Sequence, residues 1–343
     1  DSTVTSCFRV STSHSLPDTS RNNLPAELIA RRLPESVRVL SQRKNVGSSM
    51  GPFAKGLRLS EFMAFTTSRS RETGNSAAEA GVKEPNLTDT GVGRTGRTPA
   101  KKAVILAAGS GTRLRVDGRA SPKPLVKVLG VSLLERQLQC LTRLIHLDEV
   151  IVVLGCEADA VRDRIKHSGP WPFIVRTVDN TDWARGNGTS LYSAKDWVEG
   201  EGFFVLMVDH MFEPETLEGF AAKAGGEPAL SVSNGSGPTI DLDDATKVSV
   251  DEQGRIREIS KALSKFTAVD MGLFYLDGRI FPALERAFRD GEHSLTSGVQ
   301  RLIAKTPLLA VPSSDAWFDI DTIDDFRHAE RHLLRKIQSA SDA

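Results

Sequence analysis

The chain has 343 residues, with 44 basic and 44 acidic side chains, and therefore no formal net charge at neutral pH; it has no overall basic field to draw in a nucleic-acid partner. Its three cysteines, Cys7, Cys140 and Cys156, are too few for a disulfide framework and lack zinc spacing, which suits a reducing compartment. No apolar run approaches the ~20 residues that cross a bilayer, so no membrane span is expected and the protein reads as cytoplasmic.

Residues 1–100 are rich in Ser and Thr, carry 14 basic against nine acidic side chains, and show no sustained apolar period. Such a composition buries too little apolar surface to order itself, and it predicts a disordered or weakly structured extension. A short helix within residues 24–40 is interrupted by Pro34. The Ser- and Arg-rich start also resembles a transit peptide, and Met50 and Met63 stand as alternative starts.

From Lys101 the pattern alternates, and residues 101–343 are expected to form the second domain. KKAVILAA predicts a buried strand, and SLLERQLQCLTRLI (132–145) a helix with Leu134, Leu138, Leu141 and Ile145 on one face. DEVIVVLG is a second strand, EADAVRDRIKHSG a helix ending at Gly169, PFIVRTV a third strand and GTSLYSAKDWVEG a helix between glycines. GFFVLMVDH is a fourth strand, apolar until Asp209. This rhythm predicts an α/β fold: a Rossmann-like mixed, mainly parallel sheet with helices on both faces. Beyond residue 225 follow PALSVSN, a hairpin around Gln253-Gly254, the strand AVDMGLFYLD, two helices, the short strands LLAVPS and AWFDID, and a closing amphipathic helix.

A glycine turn, Gly109-Ser110-Gly111, follows the first strand directly. Its glycines allow a tight turn and close approach to an anion, which successive backbone N–H groups can cradle. The dinucleotide fingerprint fails because Leu114 stands where its third glycine belongs, and no Gly-Lys-Ser/Thr completes a Walker loop. Arg113 lies inside the loop. Lys123 lies between Pro122 and Pro124, which predicts a stiff, extended segment holding a phosphate ligand. Asp209 ends an apolar strand where ligands of such sheets bind; a turn aspartate is the plain alternative. Alternation puts Asp319 and Asp321 on one face of a short strand, although Asp321 or Thr322 also suits the cap of the last helix. Asp270 interrupts an apolar strand and needs either a basic partner or the hydroxyls of a polyol.

LAAGSGTRL followed by PKPLV resembles the signature of the sugar-phosphate nucleotidyltransferases, over some 240 residues from Lys102 onward. RGNGTSLYSAK, VLMVDHMF, DDATKV, AVDMGLF and WFDIDT carry a nearer likeness to the inositol-1-phosphate cytidylyltransferases. The resemblance implies the nucleotide-diphospho-sugar transferase type of fold. It implies that CTP and inositol 1-phosphate give CDP-inositol, a phospholipid precursor, and pyrophosphate. Leu106, Ala107, Ala108, Gly109, Ser110, Gly111 and Thr112 would then bind the nucleotide, with Arg113 and Lys123 catalytic. Asn187, Gly188 and Ser190 would meet the base, although helix capping by Asn187 or Thr189 explains part of that motif. Lys247 would reach the acceptor's phosphate, with Asp270 on the acceptor. Asp209 and Asp319 would hold Mg²⁺, with Asp321 near it and His210 as a third ligand or a hydrogen-bonded neighbour. In several relatives this domain is fused to a membrane CDP-alcohol phosphotransferase; here a separate one is expected downstream. Three other readings stay open. The first is another phosphorylated acceptor, such as a hexose 1-phosphate, phosphocholine or a phosphonate, with CTP, UTP or GTP. The second is a catalytically inactive regulatory relative, and the third a dinucleotide-binding dehydrogenase.

Overall fold

A computed structural model describes residues 100–341, except 112–113, 117–118, 121, 199, 201 and 236–240. These residues fall within the second of two units of the chain, Leu87–Ala343. The expected extension, with its helix near Pro34, and the expected sites Thr112 and Arg113 lie outside the described residues.

Four parallel strands form one side of a nine-stranded sheet. In chain order they are β1 (Lys102–Ala107), β2 (Glu149–Leu154), β3 (Ile174–Asp179) and β4 (Phe203–Met207). The ribbon strand β5 (His210–Phe212) comes next. It is followed by β6 (Ala229–Ser233), β7 (Lys247–Val250), β8 (Ile256–Ser260), β9 (Ala268–Leu276), β10 (Leu309–Pro312) and β11 (Trp317–Asp319). The main order is β8-β7-β9-β4-β1-β2-β3, with β6 pairing both β9 and β10. β1 lies parallel between β2 and β4, whereas β9 runs antiparallel to β4. The β7–β8 hairpin turns around Gln253-Gly254 as expected.

Alternation along β1 sends Ala103, Ile105 and Ala107 to one face and Val104 and Leu106 to the other. The first face packs α1 (Leu133–Leu141), α2 (Ala158–Lys166) and α4 (Pro214–Ala224). The second packs α3 (Asn187–Ser193), α5 (Ile280–Arg289) and α6 (Leu295–Ile303). Around β1, β2 and β4 both faces are covered, which is why these three strands read as nearly unbroken apolar runs, unlike the outer strand β3.

A third, smaller core sits at the end of the sheet. It joins Leu114, Val126 and Val128 to Met211, Phe318, Ile320, and Phe326 and Ala329 of the closing helix α7 (Ile323–Ser341).

Several local expectations are corrected. α1 stops at Leu141, so Ile145 leaves the apolar face and is 86% exposed. The helix expected over residues 188–200 is two pieces, α3 and Lys195–Val198. Lys123 opens a 3₁₀ turn, Lys123–Leu125, in place of an extended segment. Asp209 lies in a turn just past β4, so the strand ends before it.

Gly155, just after β2, sets the position of the loop that follows β1. Cys156 N–H donates to the Ala108 carbonyl at 3.0 Å. A Cβ on Gly155 would stand 2.6 Å from Trp183 Cγ and 2.7 Å from Ala108 O. Gly155→Ala is therefore expected to destabilise the fold by roughly 1–3 kcal/mol. The reading is a lower denaturation midpoint at unchanged slope.

Candidate active site

β1 and β4 are neighbours in parallel register, Leu106 beside Met207. The glycine turn after β1 and the Asp209 turn after β4 therefore emerge together at the carboxyl edge of the sheet. Leu106, Ala107 and Ala108 are core residues, at most 5% exposed; among the described residues of this stretch, Gly109, Ser110 and Gly111 reach the surface. Gly111 has φ +60°, and a Cβ there would lie 2.8 Å from Lys123 Cβ. The glycine turn thus rests on the stem of Lys123.

Lys123 is 8% exposed and its ammonium lies between two carboxylates. It donates to Asp209 Oδ2 at 2.5 Å and to Asp321 Oδ1. Burial works against that charge, but Asp209, Asp321 and Asp319 outweigh it and hold the lysine pKa above its ordinary value. Burial likewise opposes the Asp209 carboxylate, and Lys123 and His210 outweigh it and keep its pKa low.

β5 pairs antiparallel with β11, His210 opposite Asp319 and Met211 opposite Phe318. Met211 and Phe318 face the small core, and His210 and Asp319 turn the other way into the site. Nε2 of His210 lies 3.6 Å from Asp319 and 4.0 Å from Asp209. One ligand atom each from Asp209, His210 and Asp319 falls within 4.8 Å of the others. Asp209 Oδ1 and Asp319 Oδ1 are buried and accept no hydrogen bond among the described residues. Orphaned carboxylate oxygens of this kind fit a hard divalent cation. Burial, Asp209 and Asp321 together raise the Asp319 pKa against His210 and Lys123. Thr322 and Asp325 cap α7 reciprocally, which leaves Asp321 for Lys123.

A cavity of about 320 Å³ opens beside this cluster. Asn187, Asp270, Lys261, Asp241, Asp244 and Trp317 contribute to its wall. β9 carries a bulge there, with register shifting opposite Leu230 and Val232. At the bulge Gly272 has φ +68°, and a Cβ would meet His210 Nδ1 at 2.3 Å. The Gly272 N–H donates to Asp270 Oδ1 at 2.7 Å. Burial pushes the Asp270 pKa up to about 6, against the pull of the Gly272 N–H and His210.

The structure does not bring every expected residue to the cavity. Lys247 is 9% exposed, donates to the Lys261 carbonyl at 2.7 Å and sits over the Phe266 ring. Lys261 lines the cavity in its stead, paired with Asp244 at 2.6 Å. Gly186 and Gly188 are glycines because a Cβ on either would stand 2.6 Å from the His293 carbonyl, so their close approach is to backbone and not to a base. Ser190 is 3% exposed and accepts from Asn180 at 3.1 Å. Asn187 does line the cavity, while its Oδ1 accepts the Leu295 N–H at 2.7 Å. Sequence reasoning missed Lys261, Asn180 and also Gln137, a helix residue that donates to the His210 carbonyl. Only the strand-end place of Asn180 carried a local signal.

The MobA-like NTP transferase domain family matches residues 103–311. The chain is 37% identical over 243 residues to the bifunctional IPC transferase and DIPP synthase of Archaeoglobus fulgidus, covering 70% of this chain and 45% of that protein. It is 36% identical over 252 residues to the protein of the same name from Rubrobacter xylanophilus, covering 70% and 53%. The chain thus spans about half the length of these curated relatives. The inositol-1-phosphate CTP transferase of T. maritima superposes with a TM-score of 0.62 at 23% identity, over 70% of this chain and 97% of that one. A UDP-glucose pyrophosphorylase of Acinetobacter baumannii gives 0.58 at 18%, over 68% and 92%. These likenesses show the nucleotide-diphospho-sugar transferase fold.

A carboxyl with a raised folded pKa binds more protons in the native than in the unfolded chain. Its contribution to stability is therefore present at low pH and lost as pH rises through the folded value. For Asp270 the window runs from about pH 4 to about 6. Asp270→Asn keeps an acceptor for Gly272 and removes the titration. The stability difference, variant minus wild type, is expected to grow across that window by on the order of 1–3 kcal/mol. Urea melts at a series of pH values measure it.

Proposed function

Because the chain belongs to the MobA-like NTP transferase domain family, we propose that it joins CTP and inositol 1-phosphate, giving CDP-inositol and pyrophosphate. The observation that carries this reading is the meeting of Lys123, Asp209 and Asp321 between the glycine turn and an open cavity. The relatives' names supply the substrate pair.

An acceptor phosphate oxygen attacks the α-phosphorus in line. A new P–O bond forms as the bond to the β-phosphate oxygen breaks, and the electron pair leaves with pyrophosphate. No general base is required, since the attacking oxygen is already anionic. Backbone N–H groups around Ser110 and Gly111 cradle the triphosphate. Lys123 and Arg113 neutralise the charge that builds on the leaving group. Asp209 and Asp319 would hold a divalent ion such as Mg²⁺, with Asp321 beside them and His210 a third donor. When bound, such an ion supplies positive charge to the phosphoryl oxygens. Asn187 keeps its amide N–H groups for the nucleoside. Lys261 takes the acceptor's phosphate, and Asp270 accepts from its hydroxyls.

No helix among the described residues is long and apolar enough to cross a membrane. On this reading the enzyme works in the cytoplasm and passes CDP-inositol to a membrane CDP-alcohol phosphotransferase, in keeping with the two activities in the relatives' names. Seven aspartates line the cavity, and that acidity also suits a cationic acceptor such as phosphocholine.

Pyrophosphate release, measured for the four NTPs against inositol 1-phosphate, hexose 1-phosphates and phosphocholine, separates these readings. CTP with inositol 1-phosphate is expected to give the highest kcat/KM, and a faster different pair would replace the assignment. Asp209→Asn and Asp319→Asn should each remove most of the rate, with little further loss in the double variant, because groups acting as a unit are non-additive. Independent, multiplying losses would show that they share no cation. Lys261→Ala should raise the acceptor KM about tenfold or more while leaving the KM for CTP unchanged. Lys247→Ala should instead lower the melting temperature and spare the acceptor KM.

A further inference from the structure

Lys123 has two employments that one ammonium cannot hold at once. The phosphates of a nucleotide in the glycine turn need it, yet here it is committed to Asp209 and Asp321. We propose that Lys123 is the resident counter-ion of the acidic cluster and leaves it for the nucleotide's phosphates, so that a divalent cation binds this protein well only together with nucleotide. The proposal rests on the metal reading above and adds an order of events to it.

Three features support the exchange. First, the lysine stem is anchored while its head is not. The 3₁₀ turn is closed by Leu125 N–H to the Pro122 carbonyl at 2.8 Å, and the Gly111 backbone packs against Lys123 Cβ. Beyond Cβ the side chain keeps rotatable bonds, so the ammonium can swing between the carboxylates and the glycine turn that touches its stem. Second, the lysine and a divalent cation want the same groups. One oxygen of Asp209 is taken by Lys123, and the other, like Asp319 Oδ1, is buried and accepts no hydrogen bond among the described residues. A cation reaching those oxygens lies close to the ammonium and is repelled by it. Third, the lysine is not dispensable to the cluster. Asp209, Asp319 and Asp321 are all partly buried, and without some cation their charges would force one another apart.

When nucleotide arrives with its cation, the ammonium gains phosphate oxygens in exchange for the carboxylates, and the carboxylates gain the cation. No bond is made or broken covalently, and charge is conserved within the site. Binding of the two ligands is then positively coupled, and the coupling is reciprocal.

The test is Mn²⁺ binding to the full, nucleotide-free chain by calorimetry or by loss of the free-ion magnetic resonance signal. Lys123→Met keeps the stem's length and removes the charge. It is expected to bind Mn²⁺ about tenfold or more tighter than wild type, within the usual span of a coupling between sites. Equal or weaker binding by the variant would overturn the exchange while leaving the metal reading intact. Absence of binding to wild type and variant alike, with nucleotide present as well as without, would overturn the metal reading and the exchange together. Should Lys123→Met fail to fold, the wild-type chain gives the answer alone. Acylation of Lys123, followed by peptide mass spectrometry, is expected to be slow without metal and to speed up with saturating Mn²⁺ as the ammonium leaves its carboxylates. A rate indifferent to Mn²⁺ would sink the proposal.

Discussion

Three carboxylates are held close together in a partly buried place, and that repulsion organises the reactive edge of the molecule. At about 4 Å and an effective dielectric of ~20, two like unit charges oppose each other by roughly 4 kcal/mol. Lys123, bonded to Asp209 and Asp321, and His210, beside Asp319 and Asp209, offset that repulsion. The lysine is kept in reach by Pro122 before it, by the 3₁₀ turn that it opens with Pro124, and by the glycine turn packed on its stem. A site held together by its own cation keeps charges of both signs in fixed places.

The pieces of that edge come from far apart in the chain and are fastened by apolar contacts beneath them. Val126 and Val128 follow Lys123, Met211 follows His210, and Phe318 and Ile320 flank Asp319; all belong to one small core under α7. Alternation does the rest. Each strand that lends a hydrophobic residue downward lends a polar one upward, so burial of Met211 against Phe318 fixes His210 against Asp319. His210 and Asp319 on one side and Met211 and Phe318 on the other are two faces of the same two short strands.

The central strands were legible because the sheet is covered on both faces there and they are almost wholly apolar; Phe203–Met207 needed no subtlety. The lysine between prolines and the aspartates of WFDID stood out for a different reason, as rigid or charged residues in unusual places, although a helix cap was an equal reading for Asp321, a role that Thr322 and Asp325 take for α7. What resisted reading was set by tertiary contact. Lys247 and Lys261 look alike in sequence, and only the pairing of β7 with β8 decides which points inward. The glycines around Asn187 suggested a ligand, but their neighbour is the His293 carbonyl, more than a hundred residues away. Asp270 was expected to need a partner, and the partner is a backbone N–H two residues on, made available by a bulge that no local pattern announces.

The pairing of His210 with Asp319 has a consequence for how the protein is made. The two strands close a loop of more than a hundred residues, so the glycine turn, the lysine and the first carboxylate leave the ribosome long before their partners do. Until residue 321 has emerged, Lys123 lacks one of its two carboxylates and β5 has no strand beside it. The sheet can begin to assemble during synthesis, since domains acquire structure as they emerge. The charge cluster cannot. A nascent chain ended before residue 321 would carry the glycine turn and Lys123 without Asp319 and Asp321, so the carboxylates that surround the lysine come together only after both short strands have been made.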